Sequence, residues 1–337
     1  MITGHTGFKG SWLCWWLKSL GATICGYALD PNTTPNLFDL LNLKNDLIHV
    51  IADIRDYEKL KQTLHDFDPE IIFHLAAQPL VRDSYDIPRD TYEVNVMGTV
   101  NVLEIAKTSN ARVIVNITTD KCYKNKEWLW GYRENEALGG LDPYSSSKAC
   151  SELVTQAYRH SFYKNRIALA SARAGNVIGG GDWSKDRLIP DIIRAYQSKS
   201  ILNIRNPQAT RPWQHVLEPL SGYLMLAEKM HHFPQNFNEA WNFGPAILEA
   251  KSVATICDQA KNEISGFDWQ HESHIEQAHE ACLLQLDSSK ALQKLAWQAQ
   301  WNTKTAVQHS LGWYKEFLSG VDAKTLCTRQ LAKYNAL

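Results

Sequence analysis

The 337-residue chain has no charge excess of either sign: it contains 35 Lys and Arg against 36 Asp and Glu, a formal net charge of −1. Without a basic surplus, the composition gives no support to binding of nucleic acid or of an anionic membrane surface. The sequence also has no run of about 18 apolar residues, the length that a membrane-spanning helix needs. Its first residues, MITGHTGFKG, are not typical of a secretory signal. We therefore expect a cytoplasmic protein that binds neither nucleic acid nor membrane.

Cysteine pairs are lacking too, because the seven cysteines are an odd number and no two of them have C-x-x-C spacing. This pattern predicts reduced thiols rather than a disulfide framework or a zinc ribbon. His271, His274 and His279 fall in a polar segment without a companion carboxylate at helical spacing, so no metal site is predicted. With 44% hydrophobic and 21% charged residues, the chain is typical of one large globular domain or two ordinary ones.

Short apolar segments alternate with longer helical patterns through the first half of the chain. Strands are predicted at 22–29, 47–53, 70–77, 112–118 and 166–173, and helices at 8–20, 56–66, 91–108 and 145–162. Such alternation favours an α/β fold with a doubly wound parallel sheet of the Rossmann type. After about residue 175 the pattern becomes irregular, with helices near 217–230, 250–263 and 303–318. We predict a domain at 1–174 and a smaller, irregular α/β region at 175–337, partly interleaved with it.

Three glycines at three-residue intervals, Gly4, Gly7 and Gly10, open the first predicted helix. This spacing suits a dinucleotide pyrophosphate, because glycine permits a tight turn, close approach of backbone N–H groups and close helix packing. Asp30 follows the second predicted strand and is placed to bind the adenosine ribose, which favours NAD over NADP. Asp53, after the third strand, would lie beside the adenine, although either acid could instead be a helix cap or turn residue.

Only three residues precede these glycines, whereas strands usually run about 5–6 residues. The first strand occupies the centre of a doubly wound sheet. We therefore expect that this strand is truncated here and that the natural chain begins upstream.

A second motif, Tyr144-Ser-Ser-Ser-Lys148, places a phenol and an ammonium on the same face of a predicted helix. A nearby cation stabilises a phenolate, so such a tyrosine can act as a base toward an alcohol. The motif follows a predicted strand that ends in Thr118-Thr119-Asp120-Lys121. In isolation, Asp120 and Lys121 could equally form a surface ion pair.

Together, the segments TGHTGFKG, HLAAQ, NVMGTVNVLE, YSSSK and RAGNVIGGGD resemble the extended branch of the short-chain dehydrogenase/reductase superfamily. In more detail, the chain is similar to the CDP-glucose 4,6-dehydratase family. The segments that carry this similarity are GHTGFKGSWL, GYALDP, AAQPLVR, ITTDKCY, EWLWGYREN, KDRLIPDI, RPWQHVLEPLSGY and WNFGP. The resemblance covers essentially the whole chain. It implies an NAD-binding Rossmann domain, a nucleotide-sugar region and a CDP-hexose substrate.

The family resemblance also implies a redox-neutral dehydration that supplies deoxysugars for O-antigen polysaccharide. Tyr144, assisted by Lys148, would deprotonate the sugar 4-hydroxyl during hydride transfer to NAD. Asp120 would then serve as the acid and Lys121 as the base in loss of water across carbons 5 and 6, with Thr119 binding the carbon 4 oxygen. The cofactor would be held by Gly4, Thr6, Gly7, Phe8, Lys9, Gly10, Asp30, Asp53, Ile54, Ala76, Ala77, Gln78, Asn95, Thr118, Tyr144 and Lys148. The substrate would be held by Thr119, Asn176, Arg187, Leu188, Arg205, Arg211 and His215.

Related dehydratases acting on dTDP- or GDP-sugars carry Glu where this chain has Lys121, and a lysine must be neutral to act as a base. Three alternatives therefore stay open: a dehydratase for another nucleotide sugar, a 4-epimerase, and a non-catalytic NAD-binding protein. A non-catalytic protein would be expected to lose Tyr144 or Lys148, and both are present. The resemblance further implies self-association into a homodimer, or a tetramer, through the helices at 92–107 and 145–160.

Overall fold

The computed structural model describes residues 1–164, 166–246, 249–272 and 283–337. The strands in chain order are β1 (Ile2–Thr3), β2 (Cys25–Ala28), β3 (Ile48–Ile51), β4 (Ile71–His74), β5 (Val113–Ile117), β6 (Ala168–Ala174), β7 (Val177–Ile178), β8 (Leu202–Ile204), β9 (Thr210–Arg211), β10 (Gln214–His215), β11 (Ala240–Phe243), β12 (Lys251–Ser252) and β13 (Trp269–His271).

The α-helices are α1 (Phe8–Ser19), α2 (Leu37–Leu40), α3 (Tyr57–Phe67), α4 (Val81–Asp86), α5 (Pro88–Tyr92), α6 (Gly98–Ala106), α7 (Pro143–Ser161), α8 (Leu188–Ser198), α9 (Leu217–His232), α10 (Pro234–Phe237), α11 (Val253–Glu263), α12 (Ser289–Leu295), α13 (Thr303–Leu318) and α14 (Ala323–Asn335). A π-helical turn at Glu93–Met97 joins α5 to α6, and 3-10 turns lie at Leu43–Asn45 and Asp120–Cys122.

Seven strands form one parallel sheet in the order β3-β2-β1-β4-β5-β6-β11. The predicted α/β fold with a doubly wound parallel sheet is confirmed. The strand order reverses between β1 and β4, and in open sheets of this kind ligands bind outside the carboxyl ends of the strands at that reversal. The topology therefore places the candidate site beyond the ends of β1, β4 and β5.

Both faces of the sheet are covered, because side chains alternate along each strand. In β5, Val113, Val115 and Ile117 pack into a core with α1, α9 and α13, whereas Ile114 packs into a second core with α3 and α6. Near-continuous apolar strands are the expected result of such two-sided burial. The five predicted N-terminal strands all occur; four are shorter than predicted at both ends, and β6 begins two residues later and ends one residue later than predicted.

The first strand, β1, has two residues, as short as the sequence predicts. It nevertheless bonds to both neighbours, since Phe73 donates to the Met1 carbonyl at 2.9 Å and Gly4 donates to the Tyr27 carbonyl at 2.9 Å. Over the length of β1, the strands β2 and β4 on either side therefore form backbone hydrogen bonds with it.

The C-terminal half contributes to the same sheet through β11, which pairs with β6 from Ala240↔Ser171 to Phe243↔Ala174. Its other strands form two-stranded ladders, β7 with β10, β9 with β12 and β8 with β13. His274 and His279 of the polar segment lie outside the described residues. No helix in the described ranges has both the length and the apolar character needed to cross a membrane.

Candidate active site

The glycine-rich turn lies at the carboxyl end of β1, where the sheet order reverses. Gly4 has a φ of +74°, a left-handed conformation that favours glycine, and a Cβ there would lie 2.7 Å from the Ala76 nitrogen. A Cβ on Gly10 would lie 2.2 Å from the Gly4 carbonyl oxygen. Both positions therefore require glycine for the turn to form and for α1 to approach it closely.

The N-terminus of α1 faces this turn without a side-chain partner of its own. Gly7 is the N-cap and makes no side-chain cap, and the first helical turn contains no acidic residue. The first N–H groups of a helix and its dipole together attract an anion. Thr6, whose hydroxyl donates to the Leu29 carbonyl at 2.8 Å, fixes the turn beside β2. This cradle of backbone donors fits a dinucleotide pyrophosphate.

Lys9 extends from the same helix toward the reacting centre. The pKa of Lys9 is lowered to about 7, mainly by burial and also by the charges of Arg187 and Lys148, whereas the charge of Asp120 opposes these effects. Phe8, its neighbour, lies close to Gly179 of the C-terminal half. The sequence prediction assigned both residues to the cofactor, and the structure brings Lys9 near the groups predicted for catalysis as well.

The two acids predicted to hold the adenosine differ in their surroundings. Asp30 is exposed after β2. Asp53 accepts from Arg55 through both carboxylate oxygens, at 3.0 and 2.7 Å. The side-chain hydrogen bonds from Arg55 lower the pKa of Asp53 against the effect of burial. Ile54 is buried against Gly98. Sequence reasoning missed Arg55, whose signal was a cation two residues after the acid.

Asn95 connects the loop after β4 with the helix that carries the predicted catalytic tyrosine. Its side chain accepts from the Gln78 nitrogen at 2.9 Å and donates to the Gln78 carbonyl at 3.1 Å and to Ser147 Oγ at 2.9 Å. The amide thus positions Gln78 and, through it, the partly exposed Ala76 and Ala77 at the edge of the cleft. In this structure Asn95 is buried and acts on that loop.

Tyr144 and Lys148 lie in the first two turns of α7, which Asp142 caps by accepting from the Ser145 nitrogen at 2.9 Å. The Tyr144 nitrogen donates to Ser84 Oγ at 3.2 Å, so α4 supports the start of the helix. Lys148 Nζ donates to the Ile117 carbonyl at 3.3 Å at the end of β5. Both side chains are buried, at 8% and 6% exposure.

The electrostatics of this pair follow mainly from burial. Burial raises the pKa of Tyr144 to about 12, while a hydrogen bond with Thr119 and the charge of Arg187 favour the phenolate. Burial also lowers the pKa of Lys148 to about 8. An extra positive charge in the cleft would move the tyrosine toward ionisation.

The residues after β5 complete the catalytic group. The backbone turns at Asp120–Cys122, and the Thr119 hydroxyl donates to Asp120 Oδ1 at 3.0 Å. Asp120 is 1% exposed, and its Oδ2 has no hydrogen-bond partner among the described residues. Burial raises the pKa of Asp120, partly opposed by Lys121 and Arg211. Lys121 itself is half-buried. The turn therefore offers a carboxyl group inclined to hold a proton next to an amine.

The predicted substrate residues come from loops of the C-terminal half that reach the same cleft. Arg187 bonds Asp182 at 3.0 Å and lies close enough to Tyr144 to favour its ionised form. Leu188 follows directly as the first residue of α8. Arg205 Nη2 lies 3.8 Å from Oδ1 of Asp186, the residue that directly precedes Arg187. These residues border one face of the cleft.

The other predicted substrate residues lie deeper. Arg211 is buried and acts electrostatically on Asp120. Asn176 is half-buried, and its carbonyl accepts from the Gln214 nitrogen at 3.0 Å. His215 is fully buried, with its ring 4.9 Å from Trp301 and 6.2 Å from Trp12. Burial lowers its pKa to about 3, so the ring is neutral and belongs to the wall behind the cleft.

A separate cavity of about 930 Å³ lies beyond α7, away from these residues. Its lining is charged but balanced, with ion pairs from Arg133 to Asp287 at 3.1 Å and from Lys290 to Glu239 at 2.8 Å. None of the predicted site residues lines it. We assign the chemistry to the cleft and not to this cavity.

Comparisons with a family model, with curated proteins and with solved structures all find enzymes that act on nucleotide sugars. The family model described as GDP-mannose 4,6 dehydratase matches residues 1–310. The chain is 50% identical to CDP-glucose 4,6-dehydratase of Salmonella typhimurium over 99% of this chain and 95% of that protein. Among solved structures, dTDP-glucose 4,6-dehydratase of Streptomyces venezuelae with NAD has a TM-score of 0.80, 21% identity and coverage of 96% and 98%. UDP-glucose 4-epimerase of Thermotoga maritima has a TM-score of 0.81, 19% identity and coverage of 94% and 98%.

Proposed function

The chain belongs to the GDP-mannose 4,6-dehydratase family, and from that premise we propose that it converts CDP-D-glucose to CDP-4-keto-6-deoxy-D-glucose. The observation that carries this proposal is the buried group at the end of β5: Tyr144, bonded to Thr119, lies beside an acid–base pair, Asp120 and Lys121. A simple dehydrogenase or 4-epimerase has no use for that pair. Identity of 50% to a CDP-glucose 4,6-dehydratase supports the choice of nucleotide.

NAD fits the cleft because the turn at Gly4 and Gly10 leaves no room for a Cβ and the N-terminus of α1 is free of acids. Bound there, NAD would exchange hydride with the sugar reversibly. The residues that would hold it are Gly4, Thr6, Gly7, Phe8, Lys9 and Gly10 at the pyrophosphate, Asp30, Asp53 and Ile54 at the adenosine, and Ala76, Ala77, Gln78, Asn95, Thr118, Tyr144 and Lys148 toward the nicotinamide.

In the oxidation step, Tyr144 removes the proton of the 4-hydroxyl and Thr119 bonds the same oxygen. The phenolate needs positive neighbours, because burial holds the pKa of the phenol at about 12. Arg187, across the cleft, supplies one such charge. The position of Lys148, one turn along α7 on the same face as Tyr144, supports it as the second. The step yields a 4-keto sugar whose carbon 5 proton has become acidic.

In the elimination step, Lys121 takes the proton from carbon 5 and Asp120 gives its proton to the carbon 6 hydroxyl, which leaves as water. A double bond forms between carbons 5 and 6. The raised pKa of Asp120 suits a residue that must hold a proton before it donates one. Reduction at carbon 6 and return of the proton from Lys121 to carbon 5 give the 4-keto-6-deoxy product. Tyr144 releases to solvent the proton that it took from the 4-hydroxyl, and Asp120 takes one up from solvent, so both residues are restored for the next turnover.

The nucleotide half of the substrate lies against the C-terminal loops in this proposal. Asn176 and Arg211 contact the diphosphate, and guanidinium groups match phosphate geometry. Arg187 and Arg205 border the entrance, while Leu188 packs near the base. His215 contributes through its position in the wall, since it is buried between aromatic rings.

We propose further that the enzyme works in the cytoplasm, where its product supplies deoxysugars for O-antigen polysaccharide. The described cysteines are free thiols, which fits a reducing compartment. Deleting the gene in its host should shorten or alter the lipopolysaccharide side chains on gels, and unchanged side chains would remove this assignment.

A homodimer is proposed through the segments 92–107 and 145–160, where Tyr92, Met97 and Leu153 are 37%, 50% and 52% exposed. A second copy would cover these side chains. Met97→Glu combined with Leu153→Glu should convert the dimer to a monomer in sedimentation velocity. A wild-type monomer at every concentration would contradict the proposal.

The deciding experiment incubates the protein and NAD with CDP-, dTDP-, UDP- and GDP-glucose and measures the 4-keto product and NADH. We expect 4-keto product with CDP-glucose and no net NADH, because the hydride returns to the product. Preference for another nucleotide would show that the proposed CDP-sugar is not the substrate. Formation of the 4-epimer would show that the enzyme is an epimerase and not a dehydratase. Net NADH in proportion to product would indicate a simple dehydrogenase. Tyr144→Phe, which removes one oxygen, serves as the inactive control.

A further inference from the structure

A buried ion pair lies one helical turn beyond Lys148. Glu152 and Arg173 approach to 2.8 Å, with side chains 3% and 4% exposed. The Glu152 carboxylate also accepts from the Thr118 hydroxyl, from Ser171 Oγ at 2.6 Å and from Arg173 Nε at 2.9 Å. Four donors thus satisfy both carboxylate oxygens.

These donors tie the catalytic helix to the strand ends. Thr118 is the residue after β5 and directly precedes Thr119–Lys121, and Ser171 and Arg173 belong to β6. Glu152 is on α7, which carries Tyr144 and Lys148. The carboxylate therefore links the helix of the oxidation residues to the turn of the elimination residues.

Arg173 extends the connection away from the cleft. Its Nη1 donates to the Tyr123 hydroxyl at 2.8 Å, and that hydroxyl donates to Asn242 Oδ1 at 2.7 Å in β11. Asn242 also receives support from Glu134, which accepts from its backbone nitrogen at 2.9 Å. The pair is embedded in a network that spans both halves of the chain.

We propose that Glu152 and Arg173 are positioning residues that hold α7 on the catalytic turn and provide the counter-charge of Lys148. The role rests on the proposed function of Tyr144 and Lys148. Glu152 touches neither substrate nor cofactor in this arrangement and acts through Lys148. Nothing in the reaction itself requires a glutamate here, so the role is separable from catalysis.

The charges around Lys148 support this role. Besides Glu152 on its own helix, Lys148 faces Cys122 on the catalytic turn, His74 of β4 and Lys9 of α1. Burial lowers the pKa of Lys148, and Glu152 is the strongest influence that raises it again. Burial would raise the pKa of Glu152, but Arg173 and the hydrogen bonds hold it low. The carboxylate therefore stays ionised beside the ammonium.

The test compares Glu152→Gln, which removes the charge, with Glu152→Asp, which keeps it. Glu218→Gln is the matched control, because Glu218 is a buried carboxylate that accepts from the Gln300 and Trp301 nitrogens and from the Tyr334 hydroxyl, none of which belongs to the predicted catalytic group. Each variant is measured for kcat/KM against pH and for thermal unfolding. The pKa of Lys148 is followed independently by trace acetylation with acetic anhydride and peptide mass spectrometry, which needs no turnover.

For Glu152→Gln we expect the alkaline limb of the profile and the acetylation pKa of Lys148 to move down together by about one pH unit or more. Glu152→Asp should restore both, and Glu218→Gln should lower stability without moving either. If Glu152→Gln does not fold because Arg173 is left unpaired, Glu152→Gln with Arg173→Met removes both charges and is expected to show a shift in the same direction, smaller because a cation is lost together with the anion.

Loss of stability in Glu152→Gln with an unchanged limb and unchanged acetylation pKa would overturn the proposal and leave a purely structural pair. Failure of the proposed function is recognised separately, since wild type would then lack dehydratase activity while the acetylation comparison still reports on Glu152 and Lys148.

Discussion

Gly10 provides a sharp test of the cofactor cradle, because its replacement by alanine adds one methyl group at the closest point between α1 and the glycine turn. The added Cβ would lie 2.2 Å from the Gly4 carbonyl oxygen and 2.7 Å from the His5 Cα. A carbon and an oxygen approach comfortably at about 3.3 Å. Both obstacles are backbone atoms that cannot rotate aside, so helix and turn must separate by about 1 Å.

Overpacking of this kind costs about 1–3 kcal/mol of the free energy of unfolding. The same displacement moves the N–H groups of α1 away from the pyrophosphate that the turn is shaped to hold. If only about 1.4 kcal/mol of that cost falls on binding, the Kd for NAD rises about tenfold. We therefore expect Gly10→Ala to be both less stable and weaker in NAD binding.

Gly312→Ala is the matched control, since Gly312 also lies in a helix, α13, and its added Cβ would meet no atom of the described residues within 4 Å. The free energy of unfolding of that variant should rise by about 0.5–1 kcal/mol, because alanine has a higher helix propensity than glycine. Urea unfolding followed by tryptophan fluorescence and calorimetric NAD titration give the two quantities. Wild-type stability and wild-type NAD affinity in Gly10→Ala would refute the packing argument.

Two further predictions concern the catalytic turn. Lys121→Met should oxidise the substrate but not dehydrate it, leaving NADH on the enzyme with the carbon 5 hydrogen retained; failure to oxidise would show that Lys121 is misassigned. Asp120→Asn should abolish dehydration yet stabilise the fold at alkaline pH. Because burial raises the pKa of Asp120 in the folded state, its protonation contributes fully to the free energy of unfolding below the ordinary Asp range near pH 4. That contribution is lost as the pH rises through the folded-state pKa. Urea unfolding at several pH values should therefore show an advantage of Asp120→Asn over wild type that grows with pH, and a constant difference would count against a buried, protonated Asp120.

The parts of the molecule that local sequence determines could be predicted. Apolar runs between helical segments identified the strands of the sheet, because strands buried on both faces must be apolar throughout. The spacing of Gly4 and Gly10 and the four-residue interval from Tyr144 to Lys148 are equally local. In the structure, the glycine turn follows β1 and the amine of Lys148 reaches the Ile117 carbonyl at the end of β5, so both motifs lie at the carboxyl ends of central strands.

Contacts between distant segments could not be predicted from such patterns. Glu152 and Arg173 lie on a helix and a strand, and neither residue carries a local signal of its partner. The family resemblance placed His215 near the nucleotide; the rings around it, Trp12 and Trp301, come from opposite ends of the chain and carry no local signal of this contact. The family resemblance assigned Asn95 to the cofactor, and its hydrogen bonds to the Gln78 loop also join segments that no local pattern connects.

The pairing of β11 with β6 has a consequence for how the molecule is made. These neighbouring strands are separated in sequence by residues 175–239, so their ladder closes a long loop, which is slow to form and gives no reward until it is complete. A nascent chain that has not yet released residue 243 from the ribosome therefore carries a parallel sheet with β6 as an open edge, which is prone to join other chains. Until β11 pairs with it, this edge of β6 is therefore the part of the nascent sheet at which we expect aggregation to begin.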